Sequence, residues 1–348
     1  MPSPPPRSFR RHPTMTLRFA LLGAGRIGKV HARAVTSNPG AQLVAVADAV
    51  PEAAHMLGEH YGASVRTIEE IEAASDIDAV VICTPTTTHA DLIERFARAG
   101  KAIFCEKPID LSLERVKACL AVVDQTGAKL MVGFNRRFDP HFAALRQAII
   151  EGRIGDVEMV QIVSRDPGAP SAAYITSSGG IFRDMTIHDF DMARFVLGEE
   201  PVSVFATGSV LTDPEIGPLG DFDSASVILM TASGRHCSIS NSRRASYGYD
   251  QRLEVHGSTG SVAIENQRPV SIEIATGLGY TRPPLHDFFM TRYTEAYAAE
   301  IAAFIGVIRD GSAPSPDGRD GLLALVLAEA ALRSVREKRL VAVTEILS

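Results

Sequence analysis

One stretch of sequence, from Leu17 to Asp48, restricts the fold of this 348-residue chain more than any other. The apolar run LRFALL leads into the turn GAGRIG, a helical stretch rich in Ala and Val continues to Thr36, and the apolar run AQLVAVA ends at Asp48. Apolar runs that alternate with helical stretches predict parallel strands covered by helices. We therefore interpret this stretch as the strand, turn, helix and strand that open a parallel sheet.

The glycines of the turn have the spacing G-x-G-x-x-G, which binds the pyrophosphate of a dinucleotide when it follows a strand and opens a helix. Gly23 permits the tight turn, Gly25 lets the main chain approach the pyrophosphate, and Gly28 lets the helix pack against the strand. The N-terminus of that helix offers free N–H groups to the phosphates. The predicted cofactor-binding residues of the turn are Gly23, Ala24, Gly25, Arg26, Ile27 and Gly28.

Asp48 stands 20 residues after the last of these glycines, at the end of the second predicted strand. An acidic residue in this position accepts hydrogen bonds from the adenosine ribose hydroxyls. Its charge would repel the 2′-phosphate of NADP, and the next residues, Ala49, Val50 and Pro51, include no arginine to receive that phosphate. The sequence therefore predicts NAD as the cofactor.

The alternation of strands and helices continues as far as Phe134. Helices are predicted at 51–61, 89–99 and 112–126, and the runs AVVICT, AIFC and KLMVGF predict further strands. This pattern fits the six-stranded, doubly wound sheet of Rossmann type. We expect an NAD-binding domain over residues 15–134, preceded by a disordered leader of residues 1–14 or by no leader at all if translation starts at Met15.

The pattern changes after Phe134, where β-branched runs replace the alternation. Seven such runs begin with VEMVQIVSR and end with VSIEIAT, and turns such as ASGR and GSTG separate several of them, as is typical of antiparallel strands. Helices are predicted at 140–150, 180–197, 293–309 and 318–336. We therefore expect residues 135–348 to form an α+β domain for substrate binding and oligomerisation. Its mostly antiparallel open sheet needs a cover on one face.

Charge and composition exclude several classes of partner. The net charge of −6 comes without a basic cluster for nucleic acid. No apolar run reaches the roughly 18 residues that a membrane-spanning helix needs. The four cysteines include no C-x-x-C pair, so neither a disulfide framework nor a zinc site is predicted, and reduced thiols in the cytoplasm are expected. A small-molecule partner is favoured.

The tripeptide Glu106-Lys107-Pro108 directly follows the predicted strand AIFC, at the carboxyl edge where ligands bind in such sheets. A lysine there can orient a substrate hydroxyl and stabilise the negative charge that develops on its oxygen. The proline restricts Lys107 to extended geometry, which aims its side chain. A surface lysine in a loop would have the same spacing, so the pattern alone leaves both interpretations open.

Asp184 and His188 are four residues apart on the helix predicted from 180 to 197, so both are expected on one face, which Asp191 shares. A carboxylate beside an imidazole raises its basicity and fixes its orientation, which suits His188 to remove a hydroxyl proton. An ordinary ion pair on a helix surface would have the same spacing. No cysteine or second histidine stands in register, and no metal is predicted.

Five motifs occur in order along the chain: the glycine turn, EKP, GFNRRFDPHF, SGGIFRDMTIHDFDMARF and YGYDQRLEVHG. Together they resemble the inositol 2-dehydrogenase branch of the Gfo/Idh/MocA oxidoreductases, and the resemblance spans roughly Met15 to the C-terminus. EKP and the D-x-x-x-H helix are typical of the whole family, whereas GFNRRFDP and MTIHDFDMARF are more typical of its inositol dehydrogenases.

The resemblance implies roles for individual residues. Lys107 resembles the family's active-site lysine, Asp184 its partner carboxylate and His188 its proton acceptor. The positions that resemble polyol-facing ones are Arg137, Asp166 and Asp191, with Tyr247 and Tyr293 as further candidates. Those that resemble the cofactor loops are Thr84, Pro85 and His89, with Glu106 beside Lys107. The resemblance also implies a homotetramer that stacks the open sheets.

The implied activity is NAD-dependent oxidation of a cyclic polyol, with myo-inositol as the expected substrate and scyllo-inosose as the product. His188 would take the hydroxyl proton as hydride leaves the same carbon. One alternative is a sister enzyme for scyllo-inositol, chiro-inositol or glucose, because the pocket loops decide the substrate. The other is a non-catalytic NAD-binding sugar sensor, against which the presence of both Lys107 and His188 argues.

Overall fold

The computed structural model describes residues 16–347, so the predicted leader of residues 1–14 lies outside the described residues. Its first sheet contains six strands, which are β1 (Leu17–Leu22), β2 (Ala41–Ala47), β3 (Ser64–Val65), β4 (Ala79–Ile82), β5 (Ala102–Cys105) and β6 (Leu130–Val132). The helices of this part are α1 (Arg26–Ser37), α2 (Pro51–Tyr61), α3 (Ile68–Ala73), α4 (His89–Arg98) and α5 (Leu113–Thr126).

All neighbouring strands of the first sheet are parallel, in the order β3-β2-β1-β4-β5-β6. This order confirms the predicted doubly wound Rossmann sheet. The central strand β4 is buried along its whole length because helices cover both faces, which explains its unbroken apolar sequence. Within this first sheet the sequence did not reveal β3, whose two exposed residues pair with Ala45 and Val46 at the sheet edge.

The second sheet contains seven strands, which are β7 (Val157–Arg165), β8 (Pro201–Ser209), β9 (Ser224–Thr231), β10 (His236–Ser242), β11 (Asp250–Gly257), β12 (Gly260–Ile264) and β15 (Val341–Ala342). Two further strands, β13 (Ile274–Thr276) and β14 (Gly279–Thr281), pair only with each other. The helices are α6 (Pro140–Ile150), α7 (Ala172–Ser178), α8 (Gly180–Asp184), α9 (Thr186–Leu197), α10 (Phe289–Arg292), α11 (Thr294–Asp310), α12 (Gly318–Glu337) and α13 (Thr344–Leu347).

The seven-stranded sheet has the order β12-β11-β7-β10-β9-β8-β15 and is antiparallel except between β7 and β10. This confirms the predicted mostly antiparallel open sheet. The helices α9 and α12 pack against one of its faces. The other face presents large apolar side chains to solvent, namely Met159, Phe205, Ile228 and Met230. The predicted run VSIEIAT was wrong as a strand of this sheet, because only its last residues are extended and they form the β13–β14 hairpin.

The C-terminal helices return to the first sheet. The helix α11 packs against α1, and α12 lies between α5 and β6 on one side and α9 and β8 on the other. This packing places the carboxyl edge of the first sheet beside the helices α8 and α9 of the second unit. None of the helices within residues 16–347 has the length and apolar character needed to cross a membrane.

Candidate active site

The glycine turn after β1 is built as its spacing predicts. Gly23 has a φ of +98°, and a Cβ atom on it would lie 2.5 Å from the carbonyl oxygen of Cys83. A Cβ atom on Gly28 would lie 1.9 Å from the carbonyl oxygen of Gly23, so α1 can approach the turn only through a glycine. Gly25 faces open space, with no atom within 4 Å of its Cβ position. The turn is therefore closed on the protein side and open where a pyrophosphate would lie.

The helix α1 begins with unused donors beside that open space. Gly25 is its N-cap, no side chain caps it, and its first turn contains no acidic residue. Arg26 is exposed and Ile27 is half-buried at this end. Free N–H groups and the positive end of the helix dipole favour an anion here, so these residues fit the phosphates of a dinucleotide.

Asp48 is bound to the turn itself. Its Oδ2 atom accepts a hydrogen bond from the Ala24 N–H at 2.5 Å, and its Oδ1 atom accepts one from the Val50 N–H at 2.7 Å. The carboxylate thus joins the end of β2 to the glycine turn, a structural role that the sequence did not predict. The contact of Asp48 with a ribose stays a prediction.

The loop after β4 contains Thr84, Pro85 and His89. Pro85 is exposed, and the Thr84 hydroxyl accepts a hydrogen bond from Thr88 at 2.7 Å. His89 is only 2% exposed, with Nδ1 at 2.8 Å from the Pro108 carbonyl oxygen and Nε2 at 2.7 Å from the Thr84 carbonyl oxygen. Both ring nitrogens are therefore occupied within the protein. His89 therefore joins two loops, and its contact with the cofactor stays a prediction.

Lys107 reaches across to the second unit from the end of β5. Its Nζ atom donates to the main-chain oxygen of Asp184 at 2.8 Å and to Asp184 Oδ1 at 3.2 Å. The same Oδ1 atom accepts a hydrogen bond from the Tyr174 hydroxyl at 3.0 Å, and a guanidinium nitrogen of Arg243 lies 3.9 Å from Oδ2. Three residues thus fix the Asp184 carboxylate, and the ammonium group lies beside it.

The continuous helix predicted from 180 to 197 was wrong, because the chain breaks between α8 and α9 at Met185. The break leaves the Asp184 carbonyl free to accept from Lys107. The Ile181 carbonyl accepts a hydrogen bond from the Met185 N–H at 2.9 Å, and the Thr186 hydroxyl donates to Asn241 Oδ1 at 2.7 Å. Asp184 and His188 consequently lie on two different helices, with the break between them.

His188 is half-buried, and its ring meets the edge of Phe134 at 6.2 Å between centroids. Within residues 16–347 its Nδ1 atom has no hydrogen-bond partner. Burial holds the pKa of His188 well below its ordinary value, and the positive charges of Lys107 and Arg136 lower it further. We predicted that the Asp184 carboxylate raises the basicity of His188. This prediction was wrong, because Asp184 is bound by Lys107 and Tyr174. The imidazole is therefore uncharged at neutral pH.

The predicted polyol-facing residues differ in burial and in their hydrogen-bond partners. Burial raises the pKa of Asp166 to about 7, and the nearby Asp184 charge adds to the effect, so Asp166 lies beside the Lys107 cluster. Tyr293 is 1% exposed and its hydroxyl has no partner among the described residues. Tyr247 is 49% exposed and donates to Asp250 at 2.6 Å, which directs its hydroxyl toward the surface of β11.

Arg137 and Asp191 bind each other. The guanidinium donates to both carboxylate oxygens, at 2.8 and 2.5 Å, and Asp191 is 1% exposed. Asp320 lies 3.0 Å from the same guanidinium. A bidentate, buried pair of this kind is rigid. Its contact with a polyol stays a prediction.

Sequence reasoning missed three residues of this region. Arg243 is 1% exposed and lies between Asp184 and Asp221, directly after β10. Tyr174 comes from α7, a helix that the sequence did not reveal. Tyr249 is 6% exposed and lies close enough to Asp166 for the charge of that residue to raise the Tyr249 pKa. Its ring packs edge-on against Tyr293, with 5.9 Å between the ring centroids. The position of Arg243 after a strand end was the one signal available in the sequence.

Comparison with known proteins agrees with this geometry. Residues 17–134 match the oxidoreductase family with an NAD-binding Rossmann fold, and residues 142–263 match the Gfo/Idh/MocA C-terminal domain. The chain belongs to the Gfo/Idh/MocA oxidoreductase family. It is 74% identical over 329 residues to the inositol 2-dehydrogenase of Rhizobium meliloti, which covers 94% of this chain and 100% of that one.

Two crystal structures extend the family relationship to the fold. A myo-inositol dehydrogenase from Corynebacterium glutamicum is 46% identical, with a TM-score of 0.91 over 94% of this chain and 99% of that one. A scyllo-inositol dehydrogenase from Lactobacillus casei, with bound NAD(H) and scyllo-inositol, is 29% identical, with a TM-score of 0.88 over 94% and 99% of the two chains. The family's NAD-binding domain thus corresponds to the sheet that carries Gly23, Asp48 and Lys107.

Proposed function

We propose that this oxidoreductase is an inositol 2-dehydrogenase, which oxidises myo-inositol with NAD to 2-keto-myo-inositol, or scyllo-inosose. The observation that carries the proposal is the Lys107 ammonium bound to Asp184 with the uncharged His188 beside it. The name of the 74% identical relative supports the choice of inositol among cyclic polyols.

The three residues divide the chemistry between them. Lys107 orients the reacting hydroxyl and stabilises the charge that develops on its oxygen. His188 accepts the hydroxyl proton, which its lowered pKa permits because the imidazole is unprotonated before the reaction. Asp184 holds the ammonium in place and is itself held by Tyr174. When bound, NAD supplies the acceptor for the hydride that leaves the same carbon.

Asp166, Tyr293, Arg137 and Asp191 are proposed to bind the remaining hydroxyls of the ring. Asp166 fits this role best, because it lies beside the charged cluster and its pKa near 7 lets it both donate and accept hydrogen bonds. Tyr247 is proposed only as an outer contact, since its hydroxyl is bound to Asp250. The residues proposed to line the path of the cofactor toward Lys107 are Thr84, Pro85, His89 and Glu106.

The exposed sheet face supports a homotetramer. The side chains of Phe205 and Ile228 face each other across β8 and β9, and Met230 and Met159 flank His236 in one row across three strands. Contiguous apolar side chains on an open sheet favour association with another copy.

The burial of all four cysteines without a disulfide supports a location in the cytoplasm. We also propose residues 15–134 and 135–348 as the domain limits.

A panel assay tests the proposal. NAD reduction is measured with myo-, scyllo- and chiro-inositol and with glucose, and each is repeated with NADP. The proposal expects the highest kcat/KM for myo-inositol with NAD, and a higher value for scyllo-inositol would favour a scyllo-inositol dehydrogenase like the Lactobacillus casei relative. NAD binding without turnover of any polyol would favour the sensor.

A further inference from the structure

A chain of three polar side chains is buried behind the loop that carries Lys107. His31 on α1 is 0% exposed, and its Nε2 atom lies 2.7 Å from Glu106 Oε1. On the other side of the ring, Nδ1 lies 4.0 Å from Oε1 of Glu300, which is on α11 and is also 0% exposed. The imidazole is enclosed by Phe104 and Tyr297, whose ring centroids are 5.0 and 5.5 Å away. None of these contacts belongs to the chemistry described above.

Two members of the chain have unsatisfied atoms. Among the described residues, His31 Nδ1 and both carboxyl oxygens of Glu300 have no hydrogen-bond partner, although all three atoms are buried. Buried polar atoms are normally paired, since an unpaired one costs free energy. The two unpaired groups face each other, so each is the available partner of the other.

The tautomer of His31 decides where the protons lie. In the tautomer whose Nε2–H donates to Glu106 Oε1, Nδ1 is an acceptor only. Glu300 can satisfy an acceptor only if its carboxyl group is protonated. Burial, together with the negative charge of Glu106, raises the pKa of Glu300 well above its ordinary value. Nδ1 and Glu300 Oε1 are 4.0 Å apart, and a small rotation of the Glu300 side chain would bring them to hydrogen-bond distance.

A metal ion is the alternative for a histidine and two carboxylates whose ligand atoms all lie within 4.8 Å of one another. The 2.7 Å between His31 Nε2 and Glu106 Oε1 is a hydrogen-bond distance. Two ligands of a tetrahedral zinc ion lie about 3.3 Å apart, given bonds of roughly 2.0 Å. The geometry therefore favours a shared proton over a shared ion.

The chain ends at the catalytic loop. The second oxygen of Glu106 accepts from the Lys107 main-chain N–H at 3.3 Å. Gly133 leaves room for this carboxylate, since a Cβ atom there would lie 3.1 Å from Glu106 Cδ and Oε2. The orientation of Glu106 is thus set by His31 from one side and by β6 from the other.

We propose that Glu300 and His31 are positioning residues, which hold the Glu106 carboxylate through a chain of hydrogen bonds and thereby fix the loop that presents the Lys107 ammonium. The inference rests on the proposed dehydrogenase function. It joins α1, whose N-terminus faces the cofactor, and α11 of the second unit to one catalytic side chain. The proposal therefore states that a protonated Glu300 is required for the chemical step and not for the fold.

Variants of Glu300 test this chain of hydrogen bonds. Glu300→Leu removes the donor, and we expect kcat for polyol oxidation to fall at least about tenfold, as for other losses of orientation. Glu300→Gln keeps an N–H donor for His31 Nδ1, and we expect this conservative variant to restore kcat to within about twofold of the wild type. The KM for NAD should change less than kcat in either variant, because the glycine turn is untouched while Glu106 is only one of the residues on the path of the cofactor.

A primary deuterium isotope effect separates positioning from folding. With polyol deuterated at the oxidised carbon, Glu300→Leu should show a larger effect on kcat than the wild type, because hydride transfer becomes slower relative to product release. Ile301→Ala, a cavity variant at the next buried position of α11, is the control and should lower Tm with an unchanged isotope effect. A Glu300→Leu enzyme with unchanged kcat and isotope effect would overturn the proposal, as would a Glu300→Gln enzyme as slow as Glu300→Leu.

Infrared spectroscopy tests the proton itself, independently of any substrate. Asp166 also contributes a carboxylic-acid C=O band near neutral pH, so the spectrum of the wild type is compared with that of Glu300→Gln. The difference between the two spectra should contain a carboxylic-acid C=O band, which belongs to Glu300. If the wild type turns over no polyol but shows this band, the dehydrogenase proposal fails while the protonated chain stands. Absence of the band from the difference spectrum, or a stoichiometric metal that is lost in Glu300→Gln, would overturn the proposed hydrogen-bond chain.

Discussion

The ammonium group of Lys107 lies 2.8 Å from the main-chain oxygen of Asp184, which is the carbonyl that the break between α8 and α9 leaves free. One lysine therefore caps a helix end and occupies the centre of the candidate site. The contact joins the carboxyl edge of the first sheet to the second unit, so the geometry of the site depends on the packing of both.

Removal of the Lys107 charge should abolish most of the activity. Lys107→Met keeps much of the side-chain volume but loses the ammonium, and we expect kcat to fall by at least about 10²-fold, the usual effect of losing one donor to a developing oxyanion. Steady-state kinetics with myo-inositol measure the effect. Lys117→Met, at an exposed lysine on α5, is the control. A Lys107→Met enzyme with wild-type kcat would contradict the assigned role.

His188 should be needed for proton transfer more than for binding. We expect His188→Ala to lower kcat by about 10²- to 10⁴-fold, the usual contribution of a positioned base, with a smaller change in the KM for NAD. The half-buried ring contacts Phe134, so thermal unfolding is measured in parallel to exclude a loss of fold. If kcat is unchanged while the protein remains folded, another group must accept the proton.

The sequence predicted the elements that depend on local pattern and missed those that depend on tertiary contacts. Strands β1, β2, β4 and β5 were found because unbroken apolar runs indicate buried parallel strands, whereas the two residues of β3 are too few for any pattern. The break at Met185 was missed because it involves a tertiary contact: the Asp184 carbonyl accepts a hydrogen bond from Lys107, which is distant in the sequence. For the same reason, the four-residue spacing predicted that Asp184 lies beside His188, whereas in the structure the Asp184 carboxylate is bound to Lys107.

Two glycines of the turn should respond differently to the same substitution. Gly25→Ala places its methyl group in open space where the pyrophosphate would lie, so we expect an unchanged Tm and a KM for NAD raised at least about tenfold. Gly28→Ala would bring a Cβ atom within 1.9 Å of the Gly23 carbonyl oxygen, so it should lower Tm as well. Thermal unfolding and NAD titration of both variants distinguish the two effects. An unchanged KM in Gly25→Ala would mean that the cofactor does not approach this surface.

Asp48 should discriminate between the two nicotinamide cofactors by repulsion. We expect Asp48→Asn, which keeps an acceptor oxygen for the Ala24 N–H, to lower the ratio of kcat/KM for NAD to that for NADP by at least about tenfold. The amide removes the charge that opposes the 2′-phosphate. Because Asp48 also binds the Val50 N–H, Tm is measured to separate cofactor choice from stability of the turn. Equal efficiencies with NAD and NADP in the wild type would already contradict the argument.

Asp166 should make the protein less stable as the pH rises toward neutrality. Its pKa is about 7 in the folded chain and about 3.9 in an unfolded one, so between these values the unfolded state ionises while the folded state stays protonated. The resulting loss in the free energy of unfolding is absent below about pH 4, grows up to about pH 7 and is constant above it. Asp166→Asn removes the titrating group, so its Tm should exceed that of the wild type by a margin that widens across this window. Thermal unfolding without polyol, at one fixed protein concentration from pH 4 to 8, measures the margin, with Asp156→Asn at an exposed carboxylate of the same region as the control. A margin that is constant with pH would mean that Asp166 is ionised in the folded protein and offers a polyol only acceptor oxygens.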